Sequence, residues 1–278
     1  SQGDLPASLA SYEASLAIQK RLAQANLDKA GWQRDLAISY VKIGNVQVEQ
    51  GDLPAALASY RASHAISELL IQLDPGNENW QRNLSVSHNK IGDVQRAQGS
   101  LSAALASYEA SLVIRKYLSH TDPSYAEWQR DLSITHMKMG DLQVDLDNLS
   151  AAMASYQASH AISKHLIRAD PVNPDWQRDL AISYVKIGDI QVDQDNFSSA
   201  LASYRASHAI SERLARAYPG NAEWRRDLIV SYVKLSEVTG DKAYATQALD
   251  VALAMQKRGT LRLSDAWMIE ELKRRTGL

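Results

Sequence analysis

Five lysines recur at a fixed interval of 48 residues: Lys42, Lys90, Lys138, Lys186 and Lys234. Three positions after each stands an amide or an acid, namely Asn45, Asp93, Asp141, Asp189 and Glu237. On a helix, side chains three apart share a face, so each lysine has an opposite charge or an amide beside it. The row is either a polar track for a partner or a set of intrahelical and inter-repeat pairs, each adding ~0.2–0.5 kcal/mol within a helix. Pairing is the simpler reading. A second row, Arg34-Asp35, returns as Arg130-Asp131, Arg178-Asp179 and Arg226-Asp227, with Arg82-Asn83 as the exception. Sequence neighbours point to different sides of a helix, so these residues are expected to pair with the adjoining repeat and lock its register. His64, His160 and His208 share a slot that holds Leu16 and Leu112 elsewhere, which predicts half-buried packing. Equivalent slots in stacked helix pairs lie ~10 Å or more apart, whereas zinc needs ligands at ~2 Å. Ser63-His64 are adjacent and cannot form a nucleophilic dyad. There is no cysteine, no glycine-rich phosphate loop and no His-Glu-x-x-His or EF-hand pattern. The expectation is no enzyme, with no catalytic residue, metal site or cofactor.

The same interval organises the whole chain. Trp32, Trp80, Trp128, Trp176 and Trp224 are each 48 residues apart, and Trp267 follows out of step. A fixed period of this length marks a solenoid, in which each unit buries its apolar face against its neighbours. Each unit reads as two helices. In the unit that begins at Trp80, Asn77 caps the first helix, as Asn173 and Asn221 do in theirs, with Pro174 at a tolerated first-turn position. Trp80, Leu84, Ile91 and Val94 form the apolar side and Gly99 ends the helix. The second helix runs from about Ser102 to Leu118, buries Ala104, Leu105, Tyr108, Leu112 and Ile114, and stops at Thr121-Asp122-Pro123. No segment alternates as a strand does. The organisation expected is a single array over 1–278: a half repeat at 1–31, full repeats at 32–79, 80–127, 128–175 and 176–223, and a degenerate repeat with a C-terminal capping helix at 224–278. In that last repeat Ser236 replaces the recurrent glycine. The capping helix is expected to start at Ser264-Asp265 and to bury Trp267, Ile269 and Leu272.

Bulk properties narrow the partners. With 30 basic and 32 acidic residues the net charge is −2, giving no pull toward nucleic acid or an anionic membrane. No apolar run approaches a membrane span, and the opening residues lack the basic-then-apolar pattern, so no signal peptide is expected among them. Gln2-Gly3-Asp4-Leu5-Pro6 matches Gln50-Gly51-Asp52-Leu53-Pro54, so the chain is expected to be a fragment that begins inside a repeat.

Tyr40, Ile43-Gly44, Gly51, Ala56 and Tyr60 sit at the spacings of the tetratricopeptide repeat signature. His88, Ile91-Gly92, Gly99, Ala104 and Tyr108 do so again, as do Tyr184, Ile187-Gly188, Ala200 and Tyr204. The chain resembles that family over nearly its whole length, in a long-helix bacterial variant. The usual unit is about 34 residues, so both helices must lengthen to roughly 18–20 residues, ~27–30 Å. The resemblance implies a right-handed α-solenoid acting as a cytoplasmic protein–protein interaction scaffold. It places Ile38, Val41, Val48, Ile182, Val185 and Val192 on or beside the concave face, with the lysine row and its acids. The candidate partner-binding residues are Val41, Lys42, Asn45, Asn89, Lys90, Asp93, Lys138, Asp141, Asp145, Val185, Lys186, Asp189 and Asp193. Branched apolar residues among acids suit an apolar peptide or helix carrying Lys or Arg. The family's carboxylate clamp is missing, because its slots hold Val41 and Asp93-type acids, so an acidic C-terminal tail is not expected to bind. Two alternatives stand beside this reading. One is self-association through the N-terminal half repeat (Leu9, Tyr12, Leu16), giving a homo-oligomer. The other is a sensor or spacer arm of a larger signalling protein.

Overall fold

The computed structural model describes residues 5–25, 29–262 and 265–277. Gln2, Gly3, Asp4 and Ser264 lie outside them. The chain divides into two compact units, 1–148 and 149–278. The first contains α1 (Leu5–Ala25), α2 (Ala30–Glu49), α3 (Leu53–Leu73), α4 (Glu78–Ala97), α5 (Leu101–Thr121) and α6 (Ala126–Asp145). The second contains α7 (Leu149–Ala169), α8 (Pro174–Asp193), α9 (Phe197–Ala217), α10 (Ala222–Thr239), α11 (Lys242–Lys257) and α12 (Trp267–Thr276). No strand occurs among the described residues. Both units are all-α solenoid stacks in which consecutive helices pack side by side. The first helices of the full repeats have 20 residues, within the expected length, and the second helices 21, one beyond it.

Local chemistry sets the boundaries. Asn77 accepts a hydrogen bond from the Trp80 backbone amide at 3.3 Å, and Asn173 and Asn221 cap the same turn. Each cap satisfies an amide that the first turn leaves free. The turn between paired helices demands a left-handed residue. Gly51 and Gly99 supply it at φ 81° and 75°, and Asp147 and Asp195 adopt it at φ 57°, a conformation aspartate tolerates better than most side chains.

Inside each pair the interior is narrow. Ala56, Ala104, Ala152 and Ala200 are fully buried, and Tyr60, Tyr108, Tyr156 and Tyr204 nearly so. The arginine row forms the expected locks between successive first helices. Arg82 Nε lies 2.6 Å from Asp131 and Arg178 Nε 2.5 Å from Asp227. The histidine slot packs as expected. His64, His160 and His208 place Nδ1 within 2.9–3.1 Å of Ser87, Ser183 and Ser231. Those hydroxyls already donate to Leu84, Leu180 and Leu228 carbonyls, so the histidine Nδ1 must carry the proton. Trp128 and Trp224 are buried, while Trp32, Trp80 and Trp176 are half-buried.

The C-terminal element differs from expectation. Asp265 does not cap α12. Its buried carboxylate accepts from Arg226 Nε at 2.9 Å and extends the arginine–aspartate row, and α12 starts from Ala266 without a side-chain cap. Trp267 is 64% exposed, and Met268 joins Ile269 and Leu272 on the buried side against Leu249, Ala252 and Met255. A ten-residue helix has one apolar stripe, and the start at Trp267 turns that residue away from it.

Candidate functional site

One cavity occurs twice, once in each unit. In the first, Asn45, Val48, Glu49, Leu53, Tyr60, Lys90, Asp93 and Val94 surround about 390 Å³. In the second, Asp189, Val192, Asp193, Phe197, Tyr204, Lys234, Glu237 and Val238 surround about 210 Å³. Each residue of the first set has its counterpart three repeats later in the second. The walls are the C-terminal halves of two successive first helices and the start of the second helix between them.

The polar floor is built by hydrogen bonds that the repeat fixes. The tyrosine hydroxyls donate at 2.8 Å, Tyr60 to Asn45, Tyr108 to Asp93 and Tyr204 to Asp189. Beside them Ser59, Ser107 and Ser203 donate to Gln47, Gln95 and Gln191 at 2.7–2.8 Å. Burial, reinforced by Asp93 or Asp189, pushes the Tyr108 and Tyr204 phenols well above the usual range, so they remain neutral donors. The lysines reach back one repeat. Lys138 Nζ donates to both Asp93 carboxylate oxygens at 2.7 and 2.8 Å. Lys234 lies 3.0 Å from Asp189, with the expected intrahelical partner Glu237 at 3.7 Å.

That arrangement separates two equivalent lysines. Lys234 faces Asp189; burial opposes its charge, but Asp189 and Glu237 outweigh burial and raise its pKa. Lys90 meets Asn45 in the matching slot. Burial and the Lys138 charge lower its pKa despite Asp93. Asn45→Asp is therefore expected to raise the Lys90 pKa toward that of Lys234. Lysine methyl-labelling followed by NMR titration measures both; an unmoved Lys90 would show that the acid one repeat back does not set its charge.

The candidate residues fall into four groups. Asn45, Lys90, Asp93, Asp189 and Asp193 line the paired cavities. Asp145 lines a further hollow with Arg96 and Tyr108, where Arg96 pairs with Asp145 and lies 3.8 Å from Asp141. Lys42 is exposed, Lys138 is committed to Asp93, and Lys186 sits 5.9 Å over the Tyr156 ring. The fourth group is taken up by packing. Val41 and Val185 pack on the buried clusters around Tyr60 and Tyr204. Asn89 is 4% exposed and donates to Thr135 at 3.1 Å, so it lies beneath the surface. The cavity residues absent from the candidate set are Val48, Glu49, Leu53, Tyr60, Val94 and Ala97 in the first unit and Val192, Phe197, Tyr204, Lys234, Glu237 and Val238 in the second. For Tyr60 and Tyr204 the available signal was the fixed 15-residue step from Asn45 and Asp189.

The fold has known counterparts. BtubC (BKLC) from P. vanneervenii superposes with a TM-score of 0.66 at 15% identity, covering 91% of this chain and 92% of that one. The apo form of RapI superposes with a TM-score of 0.56 at 13% identity, covering 99% and 94%. Both are helical-repeat proteins of tetratricopeptide-like build. No family model and no curated protein matches the sequence. At these identities the likeness establishes the fold alone. Among the described residues no helix is long and apolar enough to cross a membrane.

Proposed function

We propose that the chain is a long-helix tetratricopeptide-type interaction module whose recurrent cavity receives side chains of an extended partner protein. The observation that carries this reading is the repetition itself: the same acid, valine, tyrosine and lysine positions line a cavity in each unit. A repeated pocket suits a partner that presents side chains at intervals, so that modest contacts add. In the second unit three carboxylates (Asp189, Asp193 and Glu237) surround one ammonium, and Phe197 is 53% exposed at the rim. That combination favours an apolar segment bearing Lys or Arg. The cavity is read as a binding surface without a reaction of its own. The bacterial, cytoplasmic setting that the resemblance implies, and a place as sensor or spacer arm of a larger protein, belong to the same proposal.

The test is fluorescence anisotropy with labelled peptides that alternate apolar residues with Lys or Arg, against matched Glu peptides. The basic series should bind more tightly, and Asp189→Lys with Asp193→Lys should weaken it by about tenfold or more. Equal binding of both series, or an unchanged affinity in the double variant, overturns the reading. Self-association is the second reading. On α1, Tyr12 is 36% and Ile18 61% exposed, with Leu9 and Leu16 half-buried. Light scattering on the same samples decides it, because a mass independent of concentration removes it.

A further inference from the structure

A different cavity lies in the second unit, and its chemistry is opposite in sign. An open hollow of about 300 Å³ lies where α9, α10 and α11 meet, at the lower end of the size range of small-ligand sites. Its apolar wall is Ala215, Leu228, Tyr232, Val251 and Ala254, and its charged lining is Glu212, Arg216, Arg225 and Arg258. Arg216 pairs with Glu212 at 3.0 Å. Neither Arg225 nor Arg258 has a side-chain hydrogen bond or ion pair among the described residues, although each faces the other's charge. Burial and the Arg258 charge both lower the Arg225 pKa, the mark of a guanidinium left without a counter-charge.

The repeat shows what Arg225 displaced. Its slot holds glutamine in each of the four preceding repeats, and each of those glutamines donates to a carbonyl in the last turn of the preceding helix or in the loop after it. Gln33 bonds Ala23 at 3.1 Å, Gln81 bonds Pro75 at 2.7 Å, Gln129 bonds Ser119 at 3.0 Å and Gln177 bonds Pro171 at 2.7 Å. Arg225 abandons that structural bond and brings a second positive charge to a cavity that already has Arg258. Structure alone is better served by glutamine, so the arginine answers to something that enters the cavity.

We propose that this cavity binds a phosphate monoester of an apolar or aromatic group. With Arg216 offset by Glu212, two positive charges remain, which match a dianion. Guanidinium forks recognise phosphate oxygens with two parallel donors. The apolar wall, with the Tyr232 ring, receives the organic part.

The test is calorimetric titration of the whole chain at low salt with phenyl phosphate, inorganic phosphate, benzoate and benzyl alcohol. Phenyl phosphate should saturate one site. Inorganic phosphate, lacking the body, and benzoate, carrying half the charge, should bind about tenfold more weakly, and benzyl alcohol should not bind. Arg225→Gln restores the residue of the other repeats and should keep the melting temperature while weakening phenyl phosphate about tenfold. Arg258→Gln, at an exposed helix end, should do the same. Absence of saturation by phenyl phosphate, wild-type affinity in both variants, or benzoate binding as tightly as phenyl phosphate each overturns the assignment.

Discussion

Gly92→Ala should destabilise the protein by about 2–3 kcal/mol. A Cβ at that position would stand 2.6 Å from Cε1 and 2.7 Å from Cδ1 of Tyr108, and the same clash recurs at Gly44 with Tyr60 and at Gly188 with Tyr204. The ring cannot yield. Tyr108 is 1% exposed, and its hydroxyl is held by Asp93 at 2.8 Å, so moving it would open the buried pair interior and break that bond. In the degenerate repeat Ser236 takes the glycine slot, and its hydroxyl donates to the Asp241 carbonyl at 3.1 Å. A double-mutant cycle follows: in a Tyr108→Ala background, Gly92→Ala should cost nothing and gain up to ~1 kcal/mol from helix propensity. Gly31→Ala, with nothing within 4 Å of its Cβ, should gain a similar amount in the wild-type chain. Urea-unfolding midpoints measure all four variants. A Gly92→Ala penalty that persists without the tyrosine ring would show that backbone strain rather than packing is responsible.

The helices and their pairing were legible because each repeat buries the same stripe, and period, caps and left-handed turns are properties of local sequence. The arginine–aspartate locks were legible for a related reason: neighbours that cannot face each other on one helix must look to another. What the sequence hid was the stagger between stacked helices. That stagger sends Lys138 and Lys234 back to the acids of the preceding repeat, and Lys234 keeps its own Glu237 only as a longer contact. It also seats Asn89 beneath the surface against Thr135 while leaving Phe197 at a rim. The tyrosine–acid bonds of the cavity floor join residues on two helices, so no one-helix pattern displays them. At the C-terminus Asp265 resembled a cap because local sequence offers that role, but Arg226 of the preceding repeat offered a charge, and the ion pair prevailed.

Acid should loosen the first unit, and His88 should be the main cause. The slot holds Tyr40, His136, Tyr184 and Tyr232 in other repeats; Tyr184 packs edge-on against His160 of the preceding helix at 4.5 Å, and Tyr232 lies tilted against His208 at 4.6 Å. Here two histidines meet, His64 and His88, at 4.5 Å. Burial lowers the His88 pKa to about 4, the His64 charge adds to the shift, and Glu68 only partly opposes it. The folded protein therefore refuses a proton that the unfolded chain accepts below its ordinary value near 6.5. This contribution to stability is complete above that value and is lost progressively as the pH falls toward 4, to a total of up to about 3 kcal/mol. His136, His160 and His208 are lowered in the same direction, mainly by burial, and add smaller losses. His88→Tyr reproduces the ring contact already present in two other repeats and removes the titrating group. Its urea midpoint should fall much less than the wild type's between pH 7 and pH 4.5. If both proteins lose stability in parallel, the acid sensitivity lies in the remaining histidines or in the carboxylates, and the buried histidine pair is not its source.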